Sequence, residues 1–102
     1  MHKPSSHDTM TALVRSFAAA AAAVEAHRAD AMILDALREA ASACRRVVSD
    51  RPAGANPDEL LNVQAALSTW QEVWPRLGGQ REFRQAVARE ARWWMKRFEQ
   101  AG

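Results

Sequence analysis

The sequence predicts an all-α protein, a small helical bundle, on three observations. Alanine, the strongest helix former, supplies 22 of the 102 residues. Strand-forming residues are scarce, because tyrosine is absent, Ile33 is the single isoleucine, and Val47–Val48 is the one β-branched pair. No glycine or proline interrupts residues 8–50. We therefore expect residues 8–102 to form a single helical domain that follows a disordered tail of residues 1–7.

The first half of the chain carries two apolar stripes with helical spacing. Asp8 or Thr9 suits the N-cap position before the first stripe. That stripe consists of Met10, Leu13, Val14, Phe17, Ala21 and Val24. The second stripe consists of Ile33, Leu37, Ala40, Cys44 and Val47. Projected at 100° per residue, the two stripes point about 30° and about 200° from Val24, so the apolar face changes sides near residues 25–30.

This change of face has two explanations. The chain bends there and forms two helices, with Asp30 capping the second, or one helix of about 40 residues buries opposite faces at its two ends. Since no glycine or proline forces a break, we favour one long or kinked N-terminal helix followed by two shorter helices. The remaining residues cannot cover such a helix, so we expect a homodimer to complete the core.

The two shorter helices have clear boundaries. Asn56 suits the N-cap, Pro57 suits the first helical position, and Glu59 has the spacing of a capping box. Pro75 and the Gly78–Gly79 pair predict the end of this helix, and the last helix runs from about Gln80 to the end of the chain. The expected core side chains are Leu60, Val63, Leu67, Trp70, Trp74, Phe83, Val87, Trp94 and Phe98.

The charge distribution and the cysteine content indicate where in the cell the protein is expected. The net charge is only +2, but residues 76–102 carry seven basic and three acidic groups, and twelve of the fourteen basic residues are arginine. The single cysteine, Cys44, excludes an intramolecular disulfide, so we expect a reducing cytoplasmic location. No stretch approaches the roughly 20 apolar residues that a membrane span requires.

The sequence offers no motif for catalysis, for a cofactor or for a metal. Two of the three histidines lie in the N-terminal tail, where no cysteine or carboxylate completes a metal-ligand pattern. Gly78–Gly79 lacks the lysine and the preceding strand of a phosphate-binding loop. We therefore predict a protein that is not an enzyme, with no catalytic, cofactor-binding or metal-binding residue.

The remaining signal is the adjacent pair Trp93–Trp94 in the last helix. Trp94 falls at the centre of the apolar stripe, whereas Trp93 falls on its flank, between Arg89 and Arg97. Either the stems of these two arginines cover the Trp93 ring, or Trp93 contacts a partner or a second copy of the chain. The predicted contact residues are Trp93, Arg89, Arg97, Arg92, Lys96, Phe17 and Val24. The alternative function is direct nucleic-acid binding by this basic C-terminal helix.

The whole chain resembles the QslA-type quorum-sensing antiactivators. It shares their character as Ala- and Arg-rich helical chains of about a hundred residues without an enzyme motif, and it carries Trp-Trp-Met-Lys-Arg-Phe close to its C-terminus. The resemblance implies a dimeric cytosolic protein that binds a LuxR-type transcription factor such as LasR, covers its dimerisation surface and stops it binding DNA. The resemblance includes no spaced motif, so it assigns no role to individual residues of this chain.

Overall fold

The computed structural model describes residues 6–51 and 54–101, which form four helices. The helices are α1 (Ser6–Glu25), α2 (Asp30–Asp50), α3 (Pro57–Leu77) and α4 (Arg81–Ala101). Helix α1 begins before the predicted caps, so Asp8 and Thr9 lie inside its first turn. Most of the predicted tail, residues 1–5, lies outside the described residues. The all-α prediction is confirmed for the part of the chain described.

The prediction of one long N-terminal helix is wrong, because the chain reverses at residues 26–29. His27 adopts a left-handed conformation with φ of 54°, and the Arg28 N–H reaches back to the Ala23 carbonyl at 3.1 Å. These features end α1 in a Schellman turn. Left-handed backbone at a residue other than glycine costs about 1–3 kcal/mol. Burying the two opposed apolar stripes against one core outweighs that cost, since each large side chain contributes about 1.5–3 kcal/mol.

The turn at residues 26–29 needs no glycine or proline, and it also lacks the expected cap. Ala29 occupies the N-cap position of α2 and makes no side-chain capping bond. Asp30 is instead the first residue of the helix, and its Oδ1 accepts a hydrogen bond from Trp74 Nε1 at 3.1 Å. Asp30 therefore connects the start of α2 to the end of α3 rather than capping its own helix.

The boundaries of α3 follow the sequence more closely. Asn56 caps the helix, with its Oδ1 accepting the Asp58 N–H at 2.9 Å, and Pro57 opens it. Pro75 does not end the helix, which continues to Leu77. Gly78 then serves as the C-cap, and its N–H donates to the Trp74 carbonyl at 2.7 Å.

The helices run up and down around one apolar core. Helix α1 approaches α2 and α4 closely along its length, α2 approaches α3, and α3 and α4 come near each other at only a few points. Every predicted core side chain of α3 is buried, as are Val87, Trp94 and Phe98, while Phe83 is half-buried against Trp74 with ring centroids 5.5 Å apart. The radius of gyration is 13.4 Å, close to that of a compact domain of this length. The long helix that required a dimer is absent, so the dimer no longer follows from the fold.

The end of the bundle that contains residues 26–29 and 78–80, here called the turn end, is held by Arg84. Its Nη1 donates to the Gly78 carbonyl at 2.8 Å and its Nη2 to the Val24 carbonyl at 3.2 Å. The guanidinium also lies 5.4 Å from the centroid of the Trp74 ring. A positive charge is favourable at the C-terminal ends of helices, and Arg84 serves α1 and α3 together.

Candidate functional site

The outer face of α4 exposes one large aromatic side chain, Trp93. Its side chain is 57% exposed, whereas the adjacent Trp94 is 9% exposed. Successive helical residues point about 100° apart, so one of the pair enters the core and the other faces solvent. The two rings meet edge to face, with centroids 4.9 Å apart. The exposed ring therefore rests on a buried one.

The support beneath Trp93 is a stack of aromatic rings. Trp94 stacks on Phe98 with centroids 5.5 Å apart, and Phe98 lies 6.1 Å from Phe17 of α1. Phe98 and Phe17 are buried. Packed side chains of this kind hold a single rotamer, so the Trp93 ring is presented by a firm base.

A cleft opens beside Trp93, where α3 and α4 are far apart. Its volume is about 610 Å³, and small side chains, Ala66 of α3 and Ala86 of α4, form part of its wall. Polar side chains at its edge are Asn62, Arg89 and Glu90. An exposed tryptophan beside an open cleft with a polar edge has the composition of a protein-binding surface.

Among the described residues, no guanidinium group is placed over the Trp93 ring. Within residues 6–51 and 54–101, the one arginine placed over an aromatic ring is Arg84, on Trp74. Arg97 reaches across to α3, where its Nε and Nη2 bind the Glu59 carboxylate at 2.8 and 2.6 Å. The Glu59 carboxylate therefore binds Arg97 rather than forming the expected capping box.

Arg92, the second predicted contact arginine, is also engaged. Its Nε and Nη2 bind the Glu25 carboxylate of α1 at 3.0 and 2.5 Å. The hydrogen bonds from Arg92, helped by its charge, lower the pKa of Glu25 despite slight burial. Arg92 and Arg97 thus act as external clamps between helices. Arg89 and Lys96 are exposed, and neither forms an ion pair with another described residue.

Phe17 and Val24 require a correction. Both side chains are buried within this chain, Phe17 among the aromatic rings below Trp93 and Val24 at the end of α1. They offer no surface to a partner or a second copy. The prediction followed from a long helix with a stripe left over for a dimer, and the reversal at residues 26–29 turns that stripe into the core.

A second exposed apolar surface was missed. Leu61 is 62% exposed and Val48 is 42% exposed, and they border a cleft of about 450 Å³ between the end of α2 and the start of α3. Both belong to adjacent apolar pairs, Val47–Val48 and Leu60–Leu61, in which the first residue is buried. The projection that separated Trp93 from Trp94 would have identified them, because the same rule places one member of each pair outside.

Two observations describe the metal-ligating and nucleophilic side chains. No group of three or more His, Cys, Asp or Glu residues is placed to hold a metal ion in the ranges 6–51 and 54–101. Cys44 is buried between α2 and α3, and its Sγ donates to the Leu60 carbonyl at 3.7 Å. Burial raises the pKa of this thiol to about 11, so the nucleophilic thiolate is scarce at neutral pH.

The membrane and family comparisons complete the description. Among the described helices, none combines the length and apolar character needed to cross a bilayer. Comparison of the chain with protein-family models, with curated proteins and with solved structures finds no match.

Proposed function

We propose that this protein is a non-enzymatic regulator that binds another protein through the Trp93 surface, defined as Trp93, Arg89, Lys96 and the cleft between α3 and α4. The observation that carries the proposal is the 57% exposure of Trp93 on a packed aromatic base. Tryptophan and arginine are enriched at the energetic centres of protein interfaces. A ring that is already held in place loses little conformational entropy when a partner covers it.

The partner class comes from the resemblance to quorum-sensing antiactivators. On that basis we propose that the partner is a LuxR-type transcription factor such as LasR, in the cytoplasm. The mechanism is competition, in which the Trp93 surface covers the dimerisation surface of the factor and so prevents DNA binding. Stoichiometric binding of this kind requires no cofactor.

The direct test uses purified LuxR-type factor and its operator DNA. We expect the wild-type chain to release the factor from DNA and the Trp93→Ala variant to need at least tenfold more protein, since interface tryptophans often contribute 2 kcal/mol or more. Met32→Ala is the matched control, because Met32 of α2 is a similarly exposed apolar side chain that belongs to none of the proposed surfaces. Equal inhibition by wild type and Trp93→Ala would refute the assignment.

A homodimer remains part of the proposal, now on different grounds. Exposed Leu61 and Val48 form an apolar surface whose burial would be favourable. Light scattering on the purified chain should give twice the mass of 11.3 kDa. Leu61→Ser should return the mass to that of one chain, whereas a wild-type monomer would end the dimer proposal.

Direct nucleic-acid binding is the less favoured function. Helix α4 carries six basic residues, but Arg92 and Arg97 are paired with glutamates and Arg84 binds two carbonyls. Arg81, Arg89 and Lys96 are left, a small set for neutralising phosphates. A shift assay with random duplex DNA at low salt tests this alternative. Tight, steeply salt-dependent binding would favour it over protein binding.

A further inference from the structure

A second cleft lies at the turn end of the bundle, and its walls are rich in arginine. Its volume is about 1210 Å³, and it is bounded by the end of α1, residues 27–30 and the first turns of α4. Four arginines line it, namely Arg28, Arg81, Arg84 and Arg89. They come from segments distant in sequence, which the reversal at residues 26–29 brings together.

The acidic residues of this cleft are already engaged. Its two carboxylates belong to Glu25 and Asp30. Arg92, which lies outside the cleft, binds both oxygens of Glu25, and Trp74 Nε1 donates to Asp30. The Glu25 charge is therefore balanced by Arg92, whereas the neutral indole of Trp74 does not cancel the charge of Asp30. One uncompensated carboxylate thus lies in the cleft with four guanidinium groups.

The arginines, in contrast, keep unused donors. Arg28, Arg81 and Arg89 form no ion pair with any residue in the described ranges. Arg84 binds carbonyl oxygens only, and its Nε is buried without a hydrogen-bond partner among those residues. Guanidinium groups bind carboxylates through paired N–H donors, so the cleft is complementary to an anionic ligand.

The spacing of the arginines decides what kind of anion fits. Arg81 and Arg89 are eight residues apart on α4, a rise of about 12 Å at 1.5 Å per residue. A single phosphate or carboxylate could contact both only if the two side chains converged on it, and the cleft of about 1210 Å³ is much larger than such an ion. A peptide segment with several acidic side chains can contact both arginines without such convergence, because its carboxylates are distributed along its length.

We propose that this cleft binds an acidic segment of a protein partner, through Arg28, Arg81 and Arg89. Arg89 lines both this cleft and the one beside Trp93, so a single partner can cover Trp93 with an apolar part and continue into the arginines with an acidic part. The choice of a protein ligand rests on the proposed function. The positive cleft is an independent observation.

The test is fluorescence anisotropy with a labelled peptide of alternating Glu and Ala, twelve residues long, at low salt. Its counterpart with Gln in place of Glu should bind far more weakly. We expect Arg81→Gln/Arg89→Gln to weaken binding roughly fivefold or more, from the loss of two exposed charge pairs. Arg45→Gln/Arg46→Gln is the matched control, because it removes the same charge from exposed positions on α2 and should change the affinity less than about twofold.

Three results would overturn the proposal. The control could weaken binding as much as the cleft variant, which would indicate attraction to overall charge. Millimolar phosphate could displace the peptide at constant ionic strength, which would indicate a single-anion site. A single-stranded oligonucleotide of equal charge could bind more tightly with the same arginine dependence, which would indicate nucleic acid. Trp93→Ala should leave peptide binding intact, so loss of regulation by that variant is distinguishable from failure of the cleft.

Discussion

The two sides of α4 pack in different ways. On the α1 side the backbones approach closely, and buried alanines such as Ala21 of α1 and Ala91 of α4 belong to this core. On the α3 side the backbones are far apart, and the space is filled by large rings that include Trp74 and Trp94. We call these the alanine seam and the tryptophan seam.

The difference teaches how a chain with few large apolar residues builds a core and still leaves an open cleft at the surface. Small side chains let helices approach, so the alanine seam excludes water with little side-chain volume. The large rings of the tryptophan seam hold its helices apart and leave a cleft at the surface, where Trp93 lies. The wide seam is thus the one that carries the proposed binding surface.

Removing a buried ring should have the largest effect on stability. We expect Trp74→Ala to lower the free energy of unfolding by about 4 kcal/mol, because it empties a fully buried site and removes the bond to Asp30. Trp93→Ala should cost less than about 1 kcal/mol, since the ring is largely exposed. Urea denaturation followed by circular dichroism measures both, and equal losses would contradict the described burial.

Enlarging a buried alanine tests the close seam. Ala21→Leu should lower the free energy of unfolding by about 3 kcal/mol, because three added carbons have no space without separating the helices. Ala22→Leu, one residue along on the exposed face, is the control and should be nearly neutral. If Ala21→Leu leaves the free energy of unfolding unchanged, the helices of the alanine seam are not closely packed at this position.

The Gly78–Gly79 turn offers a finer comparison at the end of the tryptophan seam. A Cβ added at Gly78 would lie 2.6 Å from Trp74 Nε1 and 2.7 Å from the Trp74 carbonyl oxygen, whereas nothing lies within 4 Å of one added at Gly79. We expect Gly78→Ala to cost about 2 kcal/mol and Gly79→Ala to be nearly neutral. Thermal unfolding of the two variants side by side decides the point. Equal melting temperatures would mean that Trp74 moves aside freely.

The smallest expected effect concerns the external clamp between α1 and α4. Because Arg92 lowers the pKa of Glu25 in the folded chain, this pair stabilises the fold above the ordinary Glu value of 4.5, and the gain is lost as the pH falls through the lowered pKa. Both side chains are more than a third exposed, so the contribution is less than about 1 kcal/mol. Glu25→Gln should therefore be less stable than wild type at pH 6, and the difference should shrink as the pH falls below 4.5. A constant difference across this range would contradict the linkage.

Local signals in the sequence predicted the elements whose causes are local. The Asn56 cap and the stripe of α3 depend on neighbouring residues, and both are found in the structure. Helical projection separated Trp93 from Trp94, and the same projection applied to Leu60–Leu61 would have found the exposed Leu61. The fold of α3 and the ring that forms the candidate site were therefore predictable.

The reversal at residues 26–29 was not predictable in the same way, because its cause is tertiary. Nothing in Glu25-Ala-His-Arg-Ala-Asp30 requires a break, and left-handed backbone at His27 carries a cost that a glycine would avoid. The break exists because two opposed stripes share one core. The change of apolar face near residues 25–30 indicated a bend as one of two explanations, but no local signal decided between them, and the arginine cleft depends on that decision.

The buried thiol of Cys44 can report how often the helices around it separate. It is the chain's one cysteine, it is covered where α2 meets α3, and its raised pKa keeps it protonated. A thiol reagent can therefore react with Cys44 only when α3 moves away from α2. The labelling rate then gives the frequency of that opening. A partner bound across α3 and α4 would lower the labelling rate.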